Sequence, residues 1–286
     1  MSDVNVYEHE IPNGSRLYFA KSAKLKRQIE QKASEILENE GFSEIVTPFF
    51  SYHQHLSVNA TNLLRFSDSL NHEISLRADS TVDTVRIVLR RLKANEPKRW
   101  FYIQPVFRYP SHEIYQIGAE MIGENDILNS VNIVAKLFNE LDLSACLQLS
   151  NMQIPRIICE ILNLEIEIFE NSWLEKILSQ NVPWLSKLAL LKDASELDEI
   201  VNLVPDKLKE PLRNLQAVAK SLEYKNLRIV PLYYSKMRYY DSLFFRFLKD
   251  NAILASGGNY EIDGISSSGF AVYTDALIEE KINLRK

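Results

Sequence analysis

Cysteine is scarce in this chain. Of 286 residues two are cysteine, Cys146 and Cys159, and neither stands in a CxxC pair or a Cys/His cluster. That argues against a disulfide framework or a zinc site, and for two small buried apolar residues in a reducing cytoplasm. Long apolar runs are missing too: none approaches the ~18 residues of a membrane span, so no membrane partner is expected. The opening "MSDVNVYEHE" is polar and acidic, with no basic segment leading into an apolar one, which counts against a secretory signal. Positive charge is not in excess. The net charge of −5 gives no polyanion-binding surface, so no nucleic-acid partner is expected. Walker A, GxGxxG, GxSxG and HExxH patterns are absent. The five histidines, His9, His53, His55, His72 and His112, form no ligand set, and His53 and His55 fit a solvated loop. No metal or cofactor is expected. There is no internal repeat, low-complexity tract or Gly/Ser linker.

What is present is a mixture of helix and strand texture. Residues 22–40 form an amphipathic pattern on Leu25, Ile29, Ala33, Ile36 and Leu37, stopped by Gly41. "EIVTPFF" and "ISLRAD" follow as short strands. Ser80 and Asp83 make an S-x-x-D cap for a helix running to about Asn95, with Pro97 beyond it. Two strands come next, "WFYIQPVFRY" and "EIYQIGAEMIG", then a helix capped by Asp126 and the strand "ACLQLSN". From about 150 to 225 the chain turns leucine-rich and is broken by Pro155, Pro183, Pro205 and Pro211, the pattern of a helical insertion of several short helices. Strand texture returns in "LRIVPLYY", "YYDSLFFRFL" and "AILASGGNY", with a hairpin tip at Asp250-Asn251, and "SSGFAVYTDALIEEK" starts extended and ends helical. Without a βαβ rhythm, the order predicts an α+β fold with a mostly antiparallel sheet flanked by helices. Residues 1–286 are expected to make a single core domain.

"FYIQPVFRYPSHEIYQIGAEMIG" concentrates the polar interest. The strand period of 2 puts Trp100, Tyr102, Gln104, Val106 and Arg108 on one face, and Gln116, Gly118 and Glu120 on one face of the next strand. Pairing the two would gather Arg108, Gln116 and Glu120 over one floor, with Gly118 leaving room. A cation, an amide and an anion suit a small zwitterion or phosphate. The same pattern also fits a solvated sheet face with an ordinary ion pair. Asp79 and Thr81 in "LRADST" fit an ammonium partner or a helix cap. Gly257 and Gly258 in "SGGN" fit close approach to a ligand or a simple turn, and Tyr239-Tyr240 fits core packing.

Taken in order, these pieces resemble the catalytic core of histidyl-tRNA synthetases, a class II synthetase fold, from about Gly14 to Leu277. Residues 14–50 look like motif 1, which builds a dimer interface in that family. "LRADST" looks like LRPExT, "FYIQPVFRYP" with "YQIGAEMIG" like motif 2, "YYDSLFFRFL" like YYTGxxFE, "ASGGNY" like GGRYD, and "SGFAVYTDAL" like motif 3. The resemblance puts Asp79, Thr81, Gln116, Glu120 and Tyr240 on histidine-contacting positions, with Arg108 as the cation retained from motif 2.

The chain departs from that family where ATP would bind. FRxE is replaced by Phe107-Arg108-Tyr109-Pro110, the motif 2 loop is short, and Ala276 stands where motif 3 has arginine. Alignment on the tyrosine pair puts Ser235 and Arg238 at the arginine and aspartate of RGLDYYTG. No anticodon-binding domain is expected after motif 3. Adenylation needs cations around a triphosphate, and each lost donor of this kind costs roughly 3–4 kcal/mol in the transition state. A kept amino-acid half beside a dismantled ATP half resembles the regulatory subunits of ATP phosphoribosyltransferase. That resemblance implies a non-catalytic homodimer within a hetero-oligomer. It would activate a short-form catalytic subunit at the first step of histidine biosynthesis and mediate feedback by histidine. The alternatives are a divergent minimal aminoacylating enzyme and a dimeric scaffold that binds no small molecule.

Overall fold

The computed structural model describes residues 10–92, 98–191 and 193–283. His9 and the expected helix end near Asn95 and Pro97 lie outside the described residues. In chain order the first part comprises α1 (Ala20–Asn39), β1 (Ser43–Glu44), β2 (Phe50–Ser51), β3 (Arg65–Ser67), β4 (Glu73–Leu76), α2 (Thr81–Ile87), β5 (Arg99–Arg108), β6 (His112–Met121), α3 (Ile127–Glu140) and β7 (Cys146–Asn151). Six helices follow: α4 (Gln153–Leu162), α5 (Glu167–Glu170), α6 (Leu174–Leu178), α7 (Pro183–Ala189), α8 (Leu197–Leu203) and α9 (Asp206–Ser221). The chain then returns to the sheet as β8 (Leu227–Ile229), β9 (Tyr240–Lys249), β10 (Ala252–Ile262) and β11 (Ile265–Tyr273), and ends its described part in α10 (Thr274–Asn283).

An eight-stranded sheet runs in the order β1-β5-β6-β11-β10-β9-β7-β8, parallel only where β1 joins β5 and β7 joins β8. This is the α+β, mostly antiparallel architecture expected. Strand alternation divides its side chains cleanly. Phe101, Ala119, Phe270, Phe245 and Leu149 lie on one face, and their rings and methyls join Ile29 of α1 and Val134 and Phe138 of α3 in the main core. The opposite face carries Trp100, Tyr240, Phe244 and Tyr260 and is covered in part by Val82 and Val85 of α2. Polar residues sit on this second face.

Several local expectations hold. Gly41 takes a φ of +82° just past α1, the Asp126 carboxylate accepts from Asn129 N at 3.0 Å, and Asp250 turns the β9–β10 hairpin with φ +50°. His53 and His55 are exposed. Both cysteines are free thiols as expected, but they are half-buried rather than buried. Three further expectations fail. "EIVTPFF" is not one strand: pairing stops after Ser43–Glu44, and β2 joins a separate sheet, β2-β4-β3. "LRIVPLYY" is a strand only over Leu227–Ile229, because Pro231 follows at once. Ser80 makes no side-chain cap on α2, since both members of the S-x-x-D pattern are taken by partners far away in sequence.

Candidate functional site

The β5–β6 register sets Trp100 opposite Glu120, Tyr102 opposite Gly118 and Gln104 opposite Gln116, which makes the floor foreseen from the period of 2. The room over Gly118 is filled. A Cβ there would lie 2.3 Å from the Tyr102 ring, so the missing side chain lets that ring lie across the strand and donate its hydroxyl to Glu120 Oε1 at 3.0 Å. On the other side, Gly269 of β11 pairs with Glu120, and a Cβ on it would come within 2.0 Å of Glu120 Oε2. Tyr260 donates to that same oxygen at 2.6 Å. Glu120 is fully buried, and burial pushes its carboxyl up to about 8 from the usual range.

Asp79 and Thr81 form the rim. They lie between β4 and α2, in a segment held by Gln54. Gln54 Oε1 accepts from Ala78 N and Asp79 N at 2.7 Å each, and its Nε2 donates to Asp79 O at 3.0 Å and Asp83 Oδ2 at 2.7 Å. Asp83 accepts also from Ser51 Oγ at 2.8 Å, while Ser80 Oγ accepts from Gln104 Nε2 at 3.0 Å. Arg77 is wholly buried and anchors the same segment through Pro105 O, Thr47 O and Pro48 O. Burial lowers its guanidinium to about 10.

So held, Asp79 presents an acid with an unmet need. Its Oδ2 accepts from the Tyr239 hydroxyl at 3.2 Å, and that hydroxyl lies 3.4 Å from Thr81 Oγ1. Its Oδ1 is buried and accepts no well-formed hydrogen bond, although the Val82 N–H at the head of α2 also favours the charged carboxyl. Burial raises the Asp79 carboxyl, and the charge of Arg108 works against that rise. A buried acceptor left unmet costs roughly 1–3 kcal/mol, so a ligand donating to Oδ1 would recover that energy. Two acids lined by tyrosine hydroxyls suit a small cationic or zwitterionic molecule.

The other expected residues divide. Gln116 is buried in the floor between Gln104 and Tyr273. Arg108 is half-buried at the end of β5 and donates to Ala78 O at 3.2 Å, next to Asp79. Tyr240 packs behind Tyr239 with ring centroids 4.6 Å apart, and against Phe244 at 4.7 Å, so it backs the site while Tyr239 meets Asp79. Gly258 lies on the site face, where a Cβ would press on Leu243 O and Phe244. Gly257 does not: its vacant position faces Gly269 O, Phe270 and Phe245 on the core face, and its smallness serves strand packing. Gln54, Tyr102, Tyr239 and Tyr260 were not among the expected site residues. The period of 2 already put Tyr102 on the floor, but nothing local marks Gln54.

At the far end of β5 the hairpin is only Tyr109, Pro110 and Ser111, with a cis Tyr109–Pro110 bond. Tyr109 and Pro110 are exposed. Ala276 is half-buried on α10 against the main core.

This sheet, with a buried cluster of polar side chains on one face, is that of a class II synthetase-like core. The histidyl-tRNA synthetase family model matches residues 18–277. A crystal structure of an ATP phosphoribosyltransferase regulatory subunit/histidyl-tRNA synthetase from Bacillus halodurans superposes with a TM-score of 0.84 at 21% identity, over 96% of this chain and 83% of that one. A histidine–tRNA ligase subunit from Alicyclobacillus acidocaldarius gives 0.82 at 18% identity, over 97% and 98%. Sequence relatives are more specific. The ATP phosphoribosyltransferase regulatory subunit of Wolinella succinogenes is 47% identical over 97% of both chains, and that of Helicobacter hepaticus is 38% identical over 96% of this chain and 98% of its own. The chain belongs to the family of ATP phosphoribosyltransferase regulatory subunits, built on a histidyl-tRNA synthetase-like core. No described helix is long and apolar enough to cross a membrane.

Proposed function

We propose that this chain is a non-catalytic regulatory subunit of ATP phosphoribosyltransferase, a single synthetase-like core that activates a short-form catalytic subunit and carries histidine feedback in histidine biosynthesis. The observation that carries the ligand is the buried Oδ1 of Asp79, which accepts no well-formed hydrogen bond, beside the buried carboxyl of Glu120. In this reading Asp79 and Thr81 meet the α-ammonium group, Glu120 and Gln116 meet the imidazole, Tyr240 backs the ring, and Arg108 holds the carboxylate. Close charged contacts of this kind are each worth roughly 2–5 kcal/mol when one partner is removed.

Assembly as a homodimer within a hetero-oligomer is supported by exposed apolar side chains on the small sheet, where Phe50 of β2 and Phe66 of β3 meet edge to face with ring centroids 6.3 Å apart, and by exposed Val46, Phe49 and Leu70 in the segments flanking its strands. Apolar groups gathered in one region of a surface mark a protein contact. Calorimetry with histidine, paired with ATP–pyrophosphate exchange, tests the reading. Histidine binding without exchange is the expected result. Histidine-dependent exchange above background would make the chain an aminoacylating enzyme, and no binding at millimolar histidine would make it a scaffold. Monomeric sedimentation at micromolar concentration would remove the dimer.

A further inference from the structure

The polar face of the sheet does not end at the acid pocket. The row of paired residues Tyr102, Gly118, Ala271, Ser256, Arg246 and Gln148 crosses it from β5 to β7. Its far end lies beneath the helical segment. There a cleft of about 330 Å³ opens between α6 and α7 above and β7, β8 and β9 below. Leu174, Ile177, Leu188, Leu191, Ile229 and Leu232 give it apolar walls, and among the described residues no acidic side chain lines it.

Among the described residues that line the cleft, Arg246 is the charged one. Its guanidinium lies 3.7 Å from the centroid of the Tyr233 ring, and Nη2 donates to Gln148 Oε1 at 2.6 Å. Its Nε is buried and has no partner. Among the described residues it forms no ion pair. A guanidinium set against a ring, with one donor buried and unused and no counter-charge in the cleft, is left short of an anionic acceptor. Its planar fork matches a carboxylate. The volume falls at the small end of the roughly 300–1,000 Å³ of small-molecule sites, and the lining has their usual form, apolar walls with a few convergent polar groups.

We propose that this cleft is a second small-molecule site, which takes an organic carboxylate with an apolar body, the carboxylate on Arg246 and the body against the leucines of α6 and α7. The site stands apart from the acid pocket and does not depend on what that pocket binds.

The test uses phenylacetate as the probe and phenylacetamide as its uncharged counterpart, titrated into the full chain with ligand-observed NMR. Phenylacetate should bind saturably in the millimolar range, and the amide about tenfold more weakly or worse. Arg246→Gln should lose phenylacetate binding by about tenfold or more. Ala189→Phe, which fills the cleft from α7, should abolish it, and Asp79→Ala should leave it unchanged. Should Arg246→Gln fail to fold, the carboxylate–amide comparison and Ala189→Phe still decide. Equal binding of acid and amide, undiminished binding to Arg246→Gln, or no saturable binding at millimolar probe would each overturn the proposal and leave Arg246 a packing residue of the sheet.

Discussion

The sheet face formed by β5, β6 and β11 has two ends that differ in burial and in satisfaction of polar groups. Around Asp79, Thr81, Gln116 and Glu120 the side chains are closed in, two acids have carboxyls raised by burial, and one carboxylate oxygen accepts no well-formed hydrogen bond. At the hairpin end Tyr109 and Pro110 stand in solvent, and Ala276 of α10 packs on the main core on the other side of the sheet. The second end is relaxed: a short turn and a packed alanine carry no cost of burial. The first is not, because an apolar floor of the same shape would avoid the desolvation of two acids. Buried polar groups that the packing of the sheet does not need are what a ligand at the first end would satisfy.

The largest effect that sharpens this contrast should come from Glu120→Gln. In the unfolded chain the Glu120 carboxyl ionises in its usual range, and in the folded chain at about 8. Between those values the folded state keeps a proton that the unfolded state has lost. Its contribution is therefore fully present at low pH and declines as pH rises towards 8, by up to about 4 kcal/mol. Denaturant titrations from pH 5 to 9 should show wild type losing stability along this window and Glu120→Gln losing much less. The residual fall belongs to Asp79, Asp83 and Asp275, whose carboxyls burial also raises. Equal slopes for the two proteins would mean that Glu120 is ionised and satisfied, and the contrast between the two ends would vanish.

Gly118→Ala should come next. The added methyl displaces the Tyr102 ring and its bond to Glu120, at about 1–3 kcal/mol of stability measured by denaturant midpoint. A neutral outcome would mean that the floor repacks freely. The smallest effect should be Tyr109→Ala at the exposed hairpin, with histidine affinity unchanged by calorimetry. A marked loss would give the hairpin a part in binding that its exposure argues against.

How much of this was legible in the sequence depends on how far apart the partners lie. Alternation along two adjacent strands was enough to set Gln116 and Glu120 beside Tyr102 and Gln104, because the strands are joined by three residues and the register follows from the turn. Motif order carried the sheet, and a leucine-rich, proline-broken texture carried the helical segment. What stayed hidden was contact across long separations. Asp83 caps no helix because Ser51 and Gln54 claim it, and Gln54 fixes Asp79 from 25 residues away. Arg77, the buried anchor of the Asp79 segment, bonds to Thr47, Pro48 and Pro105, about thirty residues away on either side. Gly257 and Gly258 are adjacent and so face opposite sides of the sheet; only one of them could serve the site face.

The central claim is that Asp79 and Glu120 hold the histidine that governs the catalytic subunit. The most direct measurement is histidine inhibition of a short-form catalytic subunit reconstituted with wild-type, Asp79→Ala or Glu120→Ala regulatory chain. Both variants should still activate the catalytic subunit while inhibition is relieved, with the half-inhibitory histidine concentration raised about tenfold or more. Full inhibition of both variants at the wild-type histidine concentration would contradict it, and would move the effector away from this pocket.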